Sequence, residues 1–130
     1  MKKILIVDDE QPTLDMCGLL LRALGYEVLT AENGSKGIDL FREKRPDIVL
    51  TDIKMPGKDG FEVIEKIMAI NPHARVIVMT GHGDRDLAGK AMELGATDFV
   101  HKPMSREALE RALKRAETNP EGDKPEQDTV

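Results

Sequence analysis

Short apolar runs alternate along the chain with longer stretches in which apolar residues recur every three or four positions. The runs are Ile4 to Val7, Glu27 to Thr30, Ile48 to Thr51, Val76 to Thr80 and Asp98 to His101. Most are rich in β-branched residues and short enough to be strands. The first, third and fourth are apolar almost throughout instead of alternating, which predicts strands covered on both faces.

The intervening stretches carry helix signals. The first has Pro12 near its start, presents Leu14, Cys17, Leu21 and Leu24 on one face, and stops at Gly25. The second follows Asn33-Gly34, turns Ile38 and Phe41 inward and ends before Pro46. The third opens after Gly60, spaces Ile64, Ile67 and Met68 helically, and breaks at Asn71-Pro72. The fourth follows Gly83-Asp84 with Leu87, Ala91 and Leu94 before Gly95. The fifth takes Ser105 as N-cap and buries Leu109, Ala112, Leu113 and Ala116, leaving Arg106 to Arg115 as a solvated face. Strand–helix alternation of this kind specifies right-handed crossovers and a parallel sheet with helices on both sides.

Composition narrows the class. The chain's 130 residues suit one domain, and 40% apolar with 33% charged residues is an ordinary globular balance. The domain is expected over residues 1–117. Residues 118–130, with four acidic side chains, two prolines and no apolar periodicity, read as a linker-like tail. The single cysteine, Cys17, excludes an internal disulfide framework and reads as a small core filler. No apolar run approaches the roughly 20 residues that span a bilayer, and no secretory signal pattern opens the chain, so a cytoplasmic location is expected. A net charge of −5 and 3% aromatics argue against direct nucleic-acid contact.

The polar residues cluster in a telling place. In open parallel sheets, ligands bind beyond the carboxyl ends of the strands. Asp8, Asp9 and Glu10 follow the first run, Thr51-Asp52 closes the third, Thr80-Gly81 the fourth, and His101-Lys102-Pro103 the fifth. Carboxylates gathered there repel one another by roughly 4 kcal/mol per pair at about 4 Å and an effective dielectric near 20. They need a cation, or some must hold their protons. Hard carboxylate oxygens with no nearby cysteine favour Mg²⁺ over Zn²⁺. Singly, each feature has a plainer reading: Asp8 and Asp9 as acidic residues at a helix N-terminus, Asp52 as a strand-end turn residue. His73 reads as a solvated turn residue, and His101 as a surface residue of the last strand.

Four segments in this order resemble the receiver domain of bacterial two-component response regulators. They are Ile-Val-Asp-Asp-Glu (6 to 10), Thr-Asp-Ile-Lys-Met-Pro-Gly-Lys-Asp-Gly (51 to 60), Met-Thr-Gly-His-Gly (79 to 83) and Asp-Phe-Val-His-Lys-Pro (98 to 103). The resemblance implies a flavodoxin-like, doubly wound five-stranded sheet in the order 2-1-3-4-5. It implies Asp52 as phosphoacceptor, and Mg²⁺ held by Asp8, Asp9, Asp52 and the backbone carbonyl of Lys54. Lys102 would pair with Asp52 and then with the phosphoryl oxygens, Thr80 would donate its hydroxyl to the phosphoryl group, and Lys102-Pro103 would be cis. Phe99 would be the switch aromatic, its plainer reading being a half-buried strand residue. Lys54 and His82 would tune how long the phosphoryl group survives. The donor would be a sensor histidine kinase or a histidine phosphotransfer protein, and a downstream output domain or protein would read the face of the fourth helix, fifth strand and fifth helix. A homodimer formed through that face on phosphorylation is compatible with the family pattern, though no residue requires it.

Two other functions fit parts of the pattern. A Mg²⁺-dependent phosphohydrolase of the haloacid type would need an Asp-x-Asp nucleophile motif, whereas the chain has Asp8-Asp9 and Asp52-Ile53-Lys54. An inert scaffold would not need the full phosphorylation set.

Overall fold

The computed structural model describes residues 2–55, 57, 59–81 and 85–118. The elements are β1 (Lys3–Val7), α1 (Gln11–Ala23), β2 (Glu27–Ala31), α2 (Gly34–Lys44), β3 (Ile48–Asp52), α3 (Gly60–Ile70), β4 (Arg75–Thr80), α4 (Arg85–Glu93), β5 (Asp98–His101) and α5 (Arg106–Thr118). All strand pairs are parallel, in the order β2-β1-β3-β4-β5. Each of the five apolar runs forms a strand within one residue of its expected limits at either end.

The two-residue period of a strand explains the layering. Leu5, Val7, Val49, Val76 and Val78 point to one face and pack with Ile38 and Phe41 of α2, Val63, Ile64 and Ile67 of α3 and Ala91 of α4. Ile4, Ile6, Ile48, Leu50, Ile77 and Met79 point to the other, against Leu14, Cys17 and Leu21 of α1 and Leu109, Leu113 and Ala116 of α5. Side chains this completely covered contribute about 1.5–3 kcal/mol each. The three central strands are therefore apolar because helices lie on both sides of them.

Local chemistry sets the helix ends. The Asn33 side chain accepts the Lys36 N–H at 2.9 Å, and Ser105 accepts the Ala108 N–H at 3.0 Å. At α3 the cap is Asp59, whose carboxylate accepts the Glu62 N–H at 3.1 Å, so the helix starts at Gly60 itself. Gly25, past the end of α1, has φ of 99°, the left-handed conformation that glycine adopts without penalty. Pro46 follows the α2 cap Arg45, as the breaker signal predicted. Arg106, Glu107, Arg111, Lys114 and Arg115 are exposed, as expected of a solvated face, and on it Arg115 donates to Asp98 at the start of β5 and Arg106 to Glu110. Among the described residues no helix is long and apolar enough to cross a membrane. The tail from 119 onward and His82 lie outside the described residues.

Candidate functional site

Two strand ends bring the carboxylates together. β1 and β3 are neighbours with Val7 opposite Thr51, so the residues that follow Val7 stand beside Asp52. Asp8, Asp9 and Asp52 each place a carboxylate oxygen within 4.8 Å of the others. Asp8 is fully buried, Asp52 nearly so, and Asp9 is exposed at the mouth. The arrangement is a recessed acidic site with one carboxylate at its rim.

Lys102 reaches in from the loop after β5. Its Nζ donates to Asp8 Oδ2 at 2.8 Å and to Asp52 Oδ2 at 3.3 Å, and lies 3.5 Å from Glu10 Oε1. The ammonium thus sits nearer Asp8 than Asp52. The Glu10 N–H donates to the other Asp8 oxygen at 2.9 Å, fixing that carboxylate's orientation. The Lys102–Pro103 peptide is cis.

The charges do not balance. Among the described residues, the carboxylates of Asp8, Asp9, Asp52 and Glu10 gather where the Lys102 ammonium enters. Burial pushes the Asp8 carboxyl above its usual range, against the pull of its hydrogen bond from Lys102. Burial and then the Asp8 charge push Asp52 the same way. Burial alone would lower the Lys102 ammonium, but the Asp8 hydrogen bond and the charges of Asp52 and Asp8 outweigh it and raise the group well beyond the ordinary lysine range. A hard divalent cation fits this donor set: the oxygens are anionic, clustered and short of positive charge. No thiolate competes, because Cys17 is buried in the core between the sheet and α1, with its thiol pushed up to about 11, mainly by burial and further by the Asp8 charge.

Comparison with known proteins agrees with this geometry. The response regulator receiver domain family matches residues 4–114. The chain belongs to that family. This receiver domain is 36% identical over 114 residues to the sporulation initiation phosphotransferase F of Bacillus subtilis, covering 88% of the chain and 92% of that protein. It is also 36% identical over 115 residues to the chemotaxis protein CheY of Thermotoga maritima, covering 88% and 96%. Against longer relatives it spans a quarter to a third of their length: it covers 31% of a cyclic di-GMP phosphodiesterase of T. maritima and 25% of the transcriptional regulatory protein GlrR of Escherichia coli. Among solved structures, a response regulator receiver domain protein from Clostridium thermocellum superposes with a TM-score of 0.87 at 40% identity, over 92% of this chain and 96% of that one. The receiver domain is flavodoxin-like in fold and is a signalling module of two-component systems, not a classical enzyme.

The structure also places Thr80, Phe99 and Lys54. Thr80 ends β4, fully buried, and its hydroxyl bonds toward β5: it lies 3.3 Å from the Val100 carbonyl and 2.9 Å from His101 Nδ1. Phe99 is half-buried on β5 and packs against the α2–α3–α4 side of the core. Lys54 is exposed beside the site. Three contributors lie in the strand-end segments, yet the sequence alone assigns them no role in the site. Glu10 joins the Lys102 cluster, and the adjacency of Asp8-Asp9-Glu10 was the available signal. Gly60 comes so close to the site that a Cβ there would stand 2.5 Å from the Asp52 carbonyl oxygen and from Ile53 Cα. His101 is exposed as expected, yet it is the hydrogen-bond partner of Thr80. Aligning the ends of β4 and β5, which pair Thr80 with His101, would have found it.

Proposed function

We propose that this receiver accepts one phosphoryl group on Asp52 from a phosphohistidine carried by a sensor histidine kinase or a histidine phosphotransfer protein. The observation that supports the reading best is the meeting of Asp8, Asp9 and Asp52 within 4.8 Å, with the Lys102 ammonium between Asp8 and Asp52. Transfer forms a bond from an Asp52 carboxylate oxygen to phosphorus and breaks the donor's N–P bond. The electron pair leaves on the imidazole nitrogen. Charge neutralisation and positioning dominate such a reaction, because both reactants are anionic.

Asp8, Asp9, Asp52 and the backbone carbonyl of Lys54 would hold Mg²⁺, which when bound supplies positive charge between the nucleophile and the phosphoryl oxygens. Lys102 offsets part of the charge of the buried Asp8–Asp52 pair at rest and pairs with the phosphoryl oxygens afterwards. The Thr80 hydroxyl then turns to the new oxygens, and Phe99 moves into the space it leaves. The altered face of α4, β5 and α5 is what an output domain or partner protein reads. Lys54 and His82 set the phosphoryl lifetime. Residues 1–117 form the receiver and 118–130 a tail, in a protein of the cytoplasm.

Incubation with acetyl phosphate and Mg²⁺, followed by intact mass, tests the reading. One phosphoryl adduct is expected on the wild-type chain and none on Asp52→Asn. An adduct that persists in Asp52→Asn would overturn it.

A further inference from the structure

Thr80 and His101 stand opposite each other where the two strands end, and their side chains meet across the pair at 2.9 Å. The partners differ in setting. Thr80 is fully buried; His101 is exposed on the edge strand and closes Thr80 off from that side. The His101 ring also packs edge-on against Phe99, two residues earlier on the same strand face, with centroids 5.5 Å apart and planes at 75°. Phe99, His101 and Thr80 therefore form one continuous chain of contacts along the end of the sheet.

A threonine hydroxyl has one hydrogen to donate. If His101 Nδ1 accepts, that hydrogen points at the imidazole. If Nδ1 carries a proton, His101 donates to Oγ1 and the hydroxyl hydrogen goes to the Val100 carbonyl at 3.3 Å. In both tautomers the hydrogen is committed toward β5 and away from the carboxylates.

We infer that His101 is a positioning residue that holds the Thr80 hydroxyl in its resting orientation, so that His101 and an incoming phosphoryl group compete for one hydroxyl. The inference rests on the reading above that Thr80 donates to the phosphoryl group. It adds a restraint on that step and a route out of it. When Thr80 turns away, His101 loses its partner, and the ring stacked edge-on against Phe99 is released. The imidazole is thus the physical link between the hydroxyl that senses phosphorylation and the aromatic that reports it. In a receiver whose switch aromatic is phenylalanine, that link cannot come from a hydroxyl on the aromatic itself.

The test is a double-mutant cycle on phosphorylation by acetyl phosphate with Mg²⁺, using the full chain. Releasing one ordinary hydrogen bond changes an equilibrium by roughly two- to ten-fold. His101→Ala is expected to speed phosphorylation by about that factor, and His101→Asn, which keeps a polar group near the Nδ1 position, to bring the rate back toward wild type. Thr80→Val is expected to slow the reaction, and adding H101A to T80V to change nothing further, because the hydroxyl being contested is gone. The imidazole ¹⁵N shifts of His101 supply a second readout and should move from a Thr80-bonded to a solvent-bonded pattern on phosphorylation.

An H101A effect of the same size in the T80V background, no acceleration in H101A, or unchanged ¹⁵N shifts on phosphorylation would each overturn the positioning role alone. A T80V protein phosphorylated as fast as wild type would overturn the Thr80 reading beneath it, and the positioning role with it.

Discussion

Gly60→Ala should damage the site without touching a charged group. An alanine Cβ at this position would lie 2.5 Å from the Asp52 carbonyl oxygen, 2.5 Å from Ile53 Cα and 3.2 Å from the Asp52 carbonyl carbon. Unstrained contacts between heavy atoms fall near 3.5–4.0 Å, so a shift of about 1 Å is needed. All three neighbours are backbone, and the Gly60 N–H donates to the Ile53 carbonyl at 2.7 Å, so neither side can yield without breaking that bond or moving the end of β3. Overpacking of this kind costs about 1–3 kcal/mol. The functional cost is of similar size, since misplacing a reacting group by about 1 Å can slow a reaction ~100-fold, which corresponds to about 2.7 kcal/mol. The control is Gly89→Ala: it lies inside α4 with nothing within 4 Å of the added carbon, and should stabilise by about 0.5–1 kcal/mol. Denaturant melts give the stabilities, and the rate of phosphoryl adduct formation gives the function. A G60A protein within 0.5 kcal/mol of wild type and phosphorylated at the same rate would refute the close approach.

Three further outcomes follow from the electrostatics and packing. In metal-free protein Asp52→Asn should be more stable than wild type at pH 7 by about 1–3 kcal/mol, since like charges within 4.8 Å repel by roughly that much even after Lys102 offsets part of it. The pH sign agrees: the folded-state carboxyls of Asp8 and Asp52 are raised, so their contribution is full below the ordinary carboxylate range and is lost as pH rises through it toward the folded values, a loss that chemical denaturation against pH would show. Mg²⁺ at ten times its dissociation constant should raise wild-type stability by about 1.4 kcal/mol and D52N by much less, read as a shift in melting temperature. Tyr26→Phe removes the donor that binds Glu117 at the end of α5 and should cost about 1 kcal/mol in a denaturant melt, with no change in phosphorylation rate.

Much of this was legible in the chain itself. The strands were readable because burial on both faces leaves runs such as Ile4 to Val7 and Ile48 to Leu50 with no polar residue to confuse the period. Asp8, Asp52, Thr80 and Lys102 were readable because a parallel sheet collects strand ends at one rim. What stayed hidden depends on distances that spacing does not encode. Asp59 as the α3 cap was masked by a segment already assigned to chemistry. The preference of Lys102 for Asp8 depends on how one flexible side chain just past the end of β5 is aimed. Gly60 looked like a helix-entry glycine, and only the packing of α3 on β3 makes it a spacer. His101 looked like surface because it is surface; its partner is the buried residue beneath.

Locating the acyl phosphate bears most directly on the site. Wild-type protein is phosphorylated with acetyl phosphate, reduced with borohydride to convert the modified aspartate into its alcohol, digested and sequenced by tandem mass spectrometry. Reduction at Asp52 alone, and only when Mg²⁺ is present, is the expected result. Label at Asp8 or Asp9, or at Asp52 with Mg²⁺ fully chelated, would contradict a metal-assisted phosphoacceptor at the end of β3.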